Sequence, residues 1–284
     1  MIEYINKDDE RYPKLLREIP DPPKRLYYQG DVGLLNTTSV AVVGARKATE
    51  YGAWASYSLA KTLAECDITV VSGMAYGIDS WAHKGALAAN GKTIAVLGCG
   101  IDICYPKANR ELMDNIIRYG LVISELEPGT SAAPYTFPQR NRIISGLCVA
   151  TAVVEAGLKS GSLITAERAA EQGRYVYAIP GNINRTSSLG CNRLIQDGAM
   201  PVAVLSDIAS DLGLLRTVVD NGYIESLGAD EKKIYNSVLS CGEVTTDQLC
   251  VKTGMAANKI CGIVTVLEMK GLVETALGRV FIAK

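Results

Sequence analysis

Phe137-Pro138-Gln139-Arg140-Asn141-Arg142-Ile143-Ile144-Ser145-Gly146 places an aromatic ring, two guanidinium groups and an amide within six residues, then turns apolar. These types suit a ligand that carries both phosphates and bases. Arg140 and Arg142 offer planar forks for phosphate oxygens. Phe137 offers a face on which a base can stack, and Asn141 can cap a helix or bond a base or backbone. Pro138 is expected to stop the preceding segment, with a helix starting from Arg140. Taken alone, the stretch reads more simply as a loop with a core phenylalanine and two solvated arginines. Other segments have to change that reading.

The same chemistry recurs at the ends of short apolar runs. Val40–Val43 has the character of a buried strand and is followed by Gly44-Ala45-Arg46, then by helical sequence from about Thr49 to Cys66. Ile68–Val71 leads into Ser72-Gly73 and Gly77, ahead of a helix from Asp79 to Ala89. Thr93–Leu97 leads into Gly98 and Gly100, with Lys107 beyond. Leu121–Ile123, Val149–Val154, Tyr175–Ile179 and Pro201–Val204 complete seven candidate strands, and Ser160-Gly161-Ser162 with Thr165 opens a helix after the fifth. Strands alternating with helical stretches imply βαβ units and a parallel sheet. In an open sheet of that kind the strand-end turns share one edge, where ligands bind. Helices starting there point free N–H groups at that edge, which favours phosphate. Such an edge does not separate a nucleotide from a strand of DNA. Capping alone explains Ser160 and Ser162 about as well as an anion cradle, and Arg46 reads equally as a surface arginine at a turn.

Composition narrows the classes. Hydrophobic residues make up 48% and charged residues 21% of the 284, which marks a globular chain able to bury a sizeable core. The net charge is −1, so an anion site has to be a local patch rather than an extended basic coat. No apolar run reaches the length of a membrane span, and the N-terminus shows no secretory signal. The eight cysteines form no Cys-x-x-Cys pair and read as free buried thiols in a reducing cytoplasm. A single histidine, His83, argues against a His-based metal site and a Ser-His-Asp triad; packing or a hydrogen bond is its simpler role. No Gly-x-Gly-x-x-Gly follows the first strand and no Walker pattern is present, so the usual dinucleotide site and nucleoside triphosphate hydrolysis lack support.

Four regions follow from these patterns. Residues 1–34 are short and mixed in charge, expected as a lid or brace too small for a core of its own. Residues 35–205 hold the α/β pattern, with 15 basic and 13 acidic residues. Residues 206–224 read as a linker with some helix. Residues 225–284 read as three helices, Asp230–Ser240, one opened by Glu243–Asp247 with Thr245 or Thr246 as cap, and Ala256–Met269. Leu272–Glu274 and Arg279–Ile282 are then expected to pair as a wing. That region holds seven basic and seven acidic residues, and its third helix offers only Lys259 and Lys270 beside Glu268. A protein-contact or structural role suits it better than duplex reading.

The joint order of these motifs resembles the DNA-processing protein A family, also called DprA or Smf. The matching stretches are Val43–Arg46 with Tyr51-Gly52, Ser72–Asp79 with Ala82-His83, Thr93–Gly100 with Tyr105-Pro106, Phe137–Gly146, Val154–Ala156, Ser160–Ala166 and Ile179–Gly181. They run in order across about 35–205. The resemblance implies an extended Rossmann-like domain followed by a winged helix. It also implies a non-catalytic protein that binds and protects incoming single-stranded DNA, loads the RecA recombinase in natural transformation, and dimerises. No cofactor is implied. The family's Gly-Ser-Arg turn corresponds to Gly44-Ala45-Arg46, which lacks the hydroxyl, and Phe137 corresponds to a stacking aromatic. Some relatives carry a lysine just upstream of that aromatic; Ser131–Pro134 stands there instead. The expected division of labour is Phe137 on a base, with Arg46 and one of Arg140 or Arg142 on phosphates. A competing reading is an enzyme that cleaves nucleoside monophosphates at the N-glycosidic bond, with Glu155 or Glu167 as its acid. Helix capping or ion pairing is the plainer role for both.

Overall fold

The computed structural model describes residues 2–214, 227–276 and 278–282. The chain divides into two compact units, Met1–Leu215 and Arg216–Lys284.

The first unit is built on a nine-stranded sheet. Its elements in chain order are β1 (Glu3–Asn6), α1 (Lys14–Arg17), β2 (Arg25–Gly30), β3 (Ser39–Val43), α2 (Glu50–Glu65), β4 (Thr69–Ser72), α3 (Ile78–Ala88), β5 (Thr93–Val96), α4 (Arg110–Tyr119), β6 (Leu121–Ser124), α5 (Thr136–Gly146), β7 (Ala150–Val153), α6 (Gly161–Glu171), β8 (Tyr175–Ala178), α7 (Leu189–Gln196), β9 (Met200–Pro201) and α8 (Asp207–Asp211). The strands lie in the order β1-β2-β6-β5-β4-β3-β7-β8-β9. From β6 to β9 all neighbours are parallel, whereas β1 and β2 join antiparallel at one edge.

Alternation along β3 explains why the run Val40–Val43 is apolar throughout. Ala41 and Val43 face a core shared with Leu16, Ile143, Leu147 and Ala166. Val40 and Val42 face another, with Leu59, Leu63, Ala82 and Ile208. Helices therefore cover both faces of the sheet, as parallel strands require.

Residues 1–34 do more than brace. Ile5, Tyr12, Leu16, Leu26 and Tyr28 belong to the first of these cores, and Tyr12 is fixed by its hydroxyl donating to the Pro23 carbonyl at 2.8 Å. The expected strand at Pro201–Val204 shrinks to Met200–Pro201. The cause is local: the Ala203 and Val204 amides donate to the Asp207 carboxylate at 2.7 and 2.9 Å, so they turn into α8 instead of a ladder. No single helix among the described residues is long and apolar enough to cross a membrane.

The second unit comprises α9 (Ala229–Cys241), β10 (Glu243–Thr245), α10 (Thr246–Thr253), α11 (Ala257–Met269), β11 (Val273–Ala276) and β12 (Arg279–Ile282). The expected wing forms, with β11 and β12 antiparallel and β10 on the other side of β12. Glu243–Thr245 is thus a strand rather than the opening of a helix. Thr245 ends it and caps α10, its hydroxyl accepting from the Gln248 amide at 3.3 Å while the Gln248 side chain reaches back to the Thr245 amide. Residues 206–214 of the expected linker contain α8; residues 215–226 lie outside the described residues.

His83 illustrates how the core of the first unit fixes a titratable group. It is fully buried on α3, and its Nδ1 lies 2.7 Å from the Thr93 hydroxyl. That hydroxyl donates to the Val70 carbonyl, so Nδ1 is the donor to Thr93 and Nε2 carries no proton. Burial, helped by the Arg140 charge, holds His83 down to about 3. The unfolded chain binds this proton near pH 6.5 and the folded chain does not. The His83 contribution to stability is therefore complete above about pH 6.5 and is lost, by roughly 1 kcal/mol per unit, as pH drops toward 3. Urea titrations at pH 7 and pH 5 should show that loss in the wild type and a smaller one in His83→Gln. An equal loss in both would assign it to other groups.

Candidate nucleic-acid interface

Strand order places the site. After β3 the chain moves through β4, β5 and β6 on one side; after β7 it moves through β8 and β9 on the other. The connections leaving β3 and β7 therefore diverge and open a crevice at their carboxyl ends, the place where ligands bind in open α/β sheets. A cleft of about 510 Å³ lies there. One wall is Gly44-Ala45-Arg46 after β3. The opposite wall is Gly157 and Lys159–Ser162 after β7, and α5 closes the end with Phe137, Arg140 and Asn141.

Gly44 is required by packing. A Cβ there would stand 2.6 Å from Ile78 Cγ1 and 2.9 Å from the Glu155 carbonyl oxygen. The Ala45 amide donates to that same carbonyl at 2.7 Å, which ties the two walls together below the cleft. Arg46 is exposed, and its guanidinium carbon lies 4.9 Å from the centre of the Phe137 ring. The Tyr105 ring also packs on Phe137, with ring centres 5.5 Å apart. Phe137 also needs Gly98 beneath it, since a Cβ at 98 would come within 2.8 Å of the ring. On the far wall, Ser160 caps α6, its hydroxyl 2.8 Å from that of Ser162. Gly161 begins the helix with open space in front of it. The positive end of the α6 dipole, the Lys159 ammonium and the Arg46 guanidinium give the cleft a positive rim.

The α5 helix runs through Pro138 instead of beginning after it. Pro138 is the third residue of the helix, where its missing N–H has no intrahelical partner to lose. That registration turns Arg140 inward. It is only 6% exposed, and its Nη1 donates to the Gly73 carbonyl at 2.7 Å and to the Val96 carbonyl, joining the ends of β4 and β5. Burial, with the Arg46 charge nearby, pushes Arg140 down to about 10, and Asp79 works against that shift. It remains a cation at neutral pH. Asp79 accepts from the Gly73 and Ala75 amides at 3.2 and 3.4 Å; its burial raises it above the ordinary carboxylate range and the Arg140 charge opposes the rise. Asn141 donates to the Gly161 carbonyl at 3.3 Å and so links α5 to the start of α6.

The expected residues thus divide. Gly44, Ala45, Arg46, Phe137, Arg140, Asn141, Ser160, Gly161, Ser162 and Thr165 line one cleft. Ser72, Gly73, Gly77, Lys107 and Arg142 do not. Ser72 is buried, with its hydroxyl donating to the Val42 carbonyl at 2.7 Å. Gly73 packs against the Arg140 guanidinium, and Gly77, at φ +74°, packs against the Ala45–Arg46 backbone. Lys107 is exposed outside the lining. Arg142 is turned away and held by Glu125 at 2.7 Å and Asp21 at 3.1 Å. A free phosphate fork at 142 is therefore corrected to an ion-paired strut between α5 and the N-terminal segment. Sequence reasoning missed Lys159 and Asp79. Lys159 sits directly before Ser160-Gly161-Ser162, a position that could have drawn attention.

In the second unit, Lys259 pairs with Asp230 at 2.6 Å and Lys270 with Glu231 at 2.8 Å. Both lysines of the third helix are neutralised inside the unit.

The model of the DNA recombination-mediator protein A family matches residues 3–213, and that of the DprA winged helix domain matches residues 224–279. The DNA processing protein DprA of Streptococcus pneumoniae is 48% identical over 203 residues, 72% of this chain and 72% of the relative. Its crystal structure superposes with a TM-score of 0.72 at 47% identity, covering 74% of each chain. A putative DNA processing protein DprA of Mycobacterium tuberculosis is 38% identical over 246 residues, but the match spans only 63% of that relative and 85% of this chain. The DNA processing protein A of Helicobacter pylori, whose structure was described for its single-stranded DNA binding mode, superposes with a TM-score of 0.67 at 32% identity, over 74% of this chain and 95% of that one.

Proposed function

The chain belongs to the DNA recombination-mediator protein A family, also called DprA or Smf, and from that premise we propose that it binds single-stranded DNA in the cleft at the β3–β7 crevice, without catalysis. The observation that carries the reading is the pairing of Arg46 with Phe137, an exposed guanidinium 4.9 Å above an aromatic ring at the mouth of that cleft. A strand laid there would place a phosphate against Arg46 and the Ser160–Ser162 helix start, with a base against Phe137. Phosphate contact and base stacking bind without sequence preference.

The wider role follows the family: protection of incoming strands in natural transformation and their delivery to the RecA recombinase. The cytoplasm is the proposed compartment, in keeping with eight free thiols. Pairing of two copies is part of the same proposal. The second unit is assigned a protein-contact or structural role, since its third-helix lysines are already paired.

The competing enzymatic reading finds little support in the cleft. The Glu155 carboxylate accepts the Thr49 amide at 2.9 Å and serves the start of α2. Glu167 is exposed and lines a separate cavity with Leu163 and Leu194. An assay for free base released from nucleoside monophosphates separates the classes, and robust release would favour the enzyme.

Phe137→Leu tests the stacking half of the proposal. It keeps an apolar side chain over Gly98 and removes the π face. Affinity for an oligothymidylate should fall roughly fivefold to hundredfold, measured by fluorescence anisotropy, with the melting temperature nearly unchanged. Unchanged affinity would remove Phe137 from the site.

A further inference from the structure

Beyond Arg46 the surface does not return to ordinary charged helix. Thr49 caps α2, its hydroxyl accepting the Gly52 amide at 3.1 Å, and the exposed face of that helix then carries Tyr51, Trp54 and the half-buried Tyr57, one ring per turn. Tyr51 and Trp54 lie 6.0 Å apart between ring centres. Tyr57 meets the edge of Trp81 on α3 at 6.4 Å, and the Lys84 ammonium lies 4.6 Å over Trp81. The two helices can approach this closely because Gly85 stands against the Tyr57 backbone. Trp54 is 58% and Trp81 38% exposed, which is unusual for the largest apolar side chain.

We propose that this aromatic stripe is a second binding surface for single-stranded DNA, carrying the strand onward from the cleft past Arg46 and along α2 and α3. The inference rests on the cleft reading. Three observations select a strand over a protein partner. The stripe is continuous with the cleft wall: α2 begins four residues after Arg46, and Gly77, the residue before α3, packs on the Ala45–Arg46 backbone. Among the described residues, the exposed large apolar side chains of α2 and α3 are all aromatic, with no aliphatic one among them. Lys84 stands over the Trp81 ring and Lys47 follows Arg46 in the chain, and neither lysine has an acidic partner within ion-pair distance among the described residues. Lysine is depleted at protein–protein interfaces, whereas rings interleaved with cations are the pattern of strand-binding grooves.

Trp54 and Trp81 are the two tryptophans of the chain, so intrinsic emission reports on the stripe directly. The experiment titrates the full-length protein with end-labelled oligothymidylates of about six and about twenty nucleotides, following label anisotropy and tryptophan emission together. Both oligomers should bind, and only the longer should quench the emission strongly. The double variant Trp54→Ala/Trp81→Ala should bind the longer oligomer about tenfold more weakly and the shorter one as well as the wild type. Binding of both oligomers with no quenching and no loss in the variant overturns the stripe and leaves the cleft reading standing. Equal quenching by the two oligomers also overturns it. A variant whose sedimentation changes while its strand affinity does not would make the stripe a contact between copies, which overturns it as well. If neither oligomer binds the wild type, the cleft reading and the stripe fall together.

Discussion

Arg46→Ala is expected to weaken oligothymidylate binding by about tenfold to hundredfold, the worth of one charge-assisted contact of roughly 1.5–3 kcal/mol. It should also flatten the dependence of log K on log salt by about 0.7, the share of one single-strand phosphate contact. The side chain is exposed at the cleft mouth and stacked on Phe137, with no ion-pair partner among the described residues. Its loss should leave folding stability within about 0.5 kcal/mol of the wild type, apart from the modest cation–π contact. Titrations at several salt concentrations read both quantities. A weaker constant with an unchanged slope would mean that Arg46 shapes the site without touching phosphate.

Arg140→Leu should behave in the opposite way. The guanidinium is buried in the cleft lining, bonded to the Gly73 and Val96 carbonyls and attracted by the charge of the buried Asp79. Removing it leaves two carbonyls and a carboxylate buried without their cation. Losses of about 3–5 kcal/mol follow from breaking one partner of such a set. Denaturant titration should show that loss, and the cleft floor would be misplaced in whatever protein remains folded. If Arg140→Leu is as stable as the wild type but binds DNA poorly, the arginine reaches the strand after all. Arg46 and Arg140 sit in the same cleft, so the pair separates contact from support.

The fold was largely legible because apolar runs and strand-end glycines are local signals. Val40–Val43, Thr49 as a helix start and the β11–β12 wing could all be read from neighbouring residues. What stayed hidden depends on distant partners. Nothing near Arg140 announces that the carbonyls of Gly73 and Val96 converge on it, so it resembled a free phosphate fork. Arg142 looked equally free until Asp21, far earlier in the chain, came alongside. Residues 1–34 read as a lid or brace too small for a core of its own, and their core is completed by the sheet they join. The Pro138 stop failed for a positional reason: proline breaks helix interiors and is tolerated in a first turn. At the site itself, the strand-end turns are legible as a group, and the topology separates those at the β3–β7 crevice from Ser72 at the end of β4 and Lys107 in the turn before α4.

The most direct measurement is a crystal structure of the full-length protein with a short oligothymidylate. The expected result is a phosphate within hydrogen-bond distance of the Arg46 guanidinium, a thymine stacked on Phe137, and Arg140 still bonded to the Gly73 and Val96 carbonyls. An oligomer bound elsewhere, with the crevice between Gly44–Arg46 and Ser160–Ser162 empty of nucleotide, would contradict the assignment of this cleft to the strand.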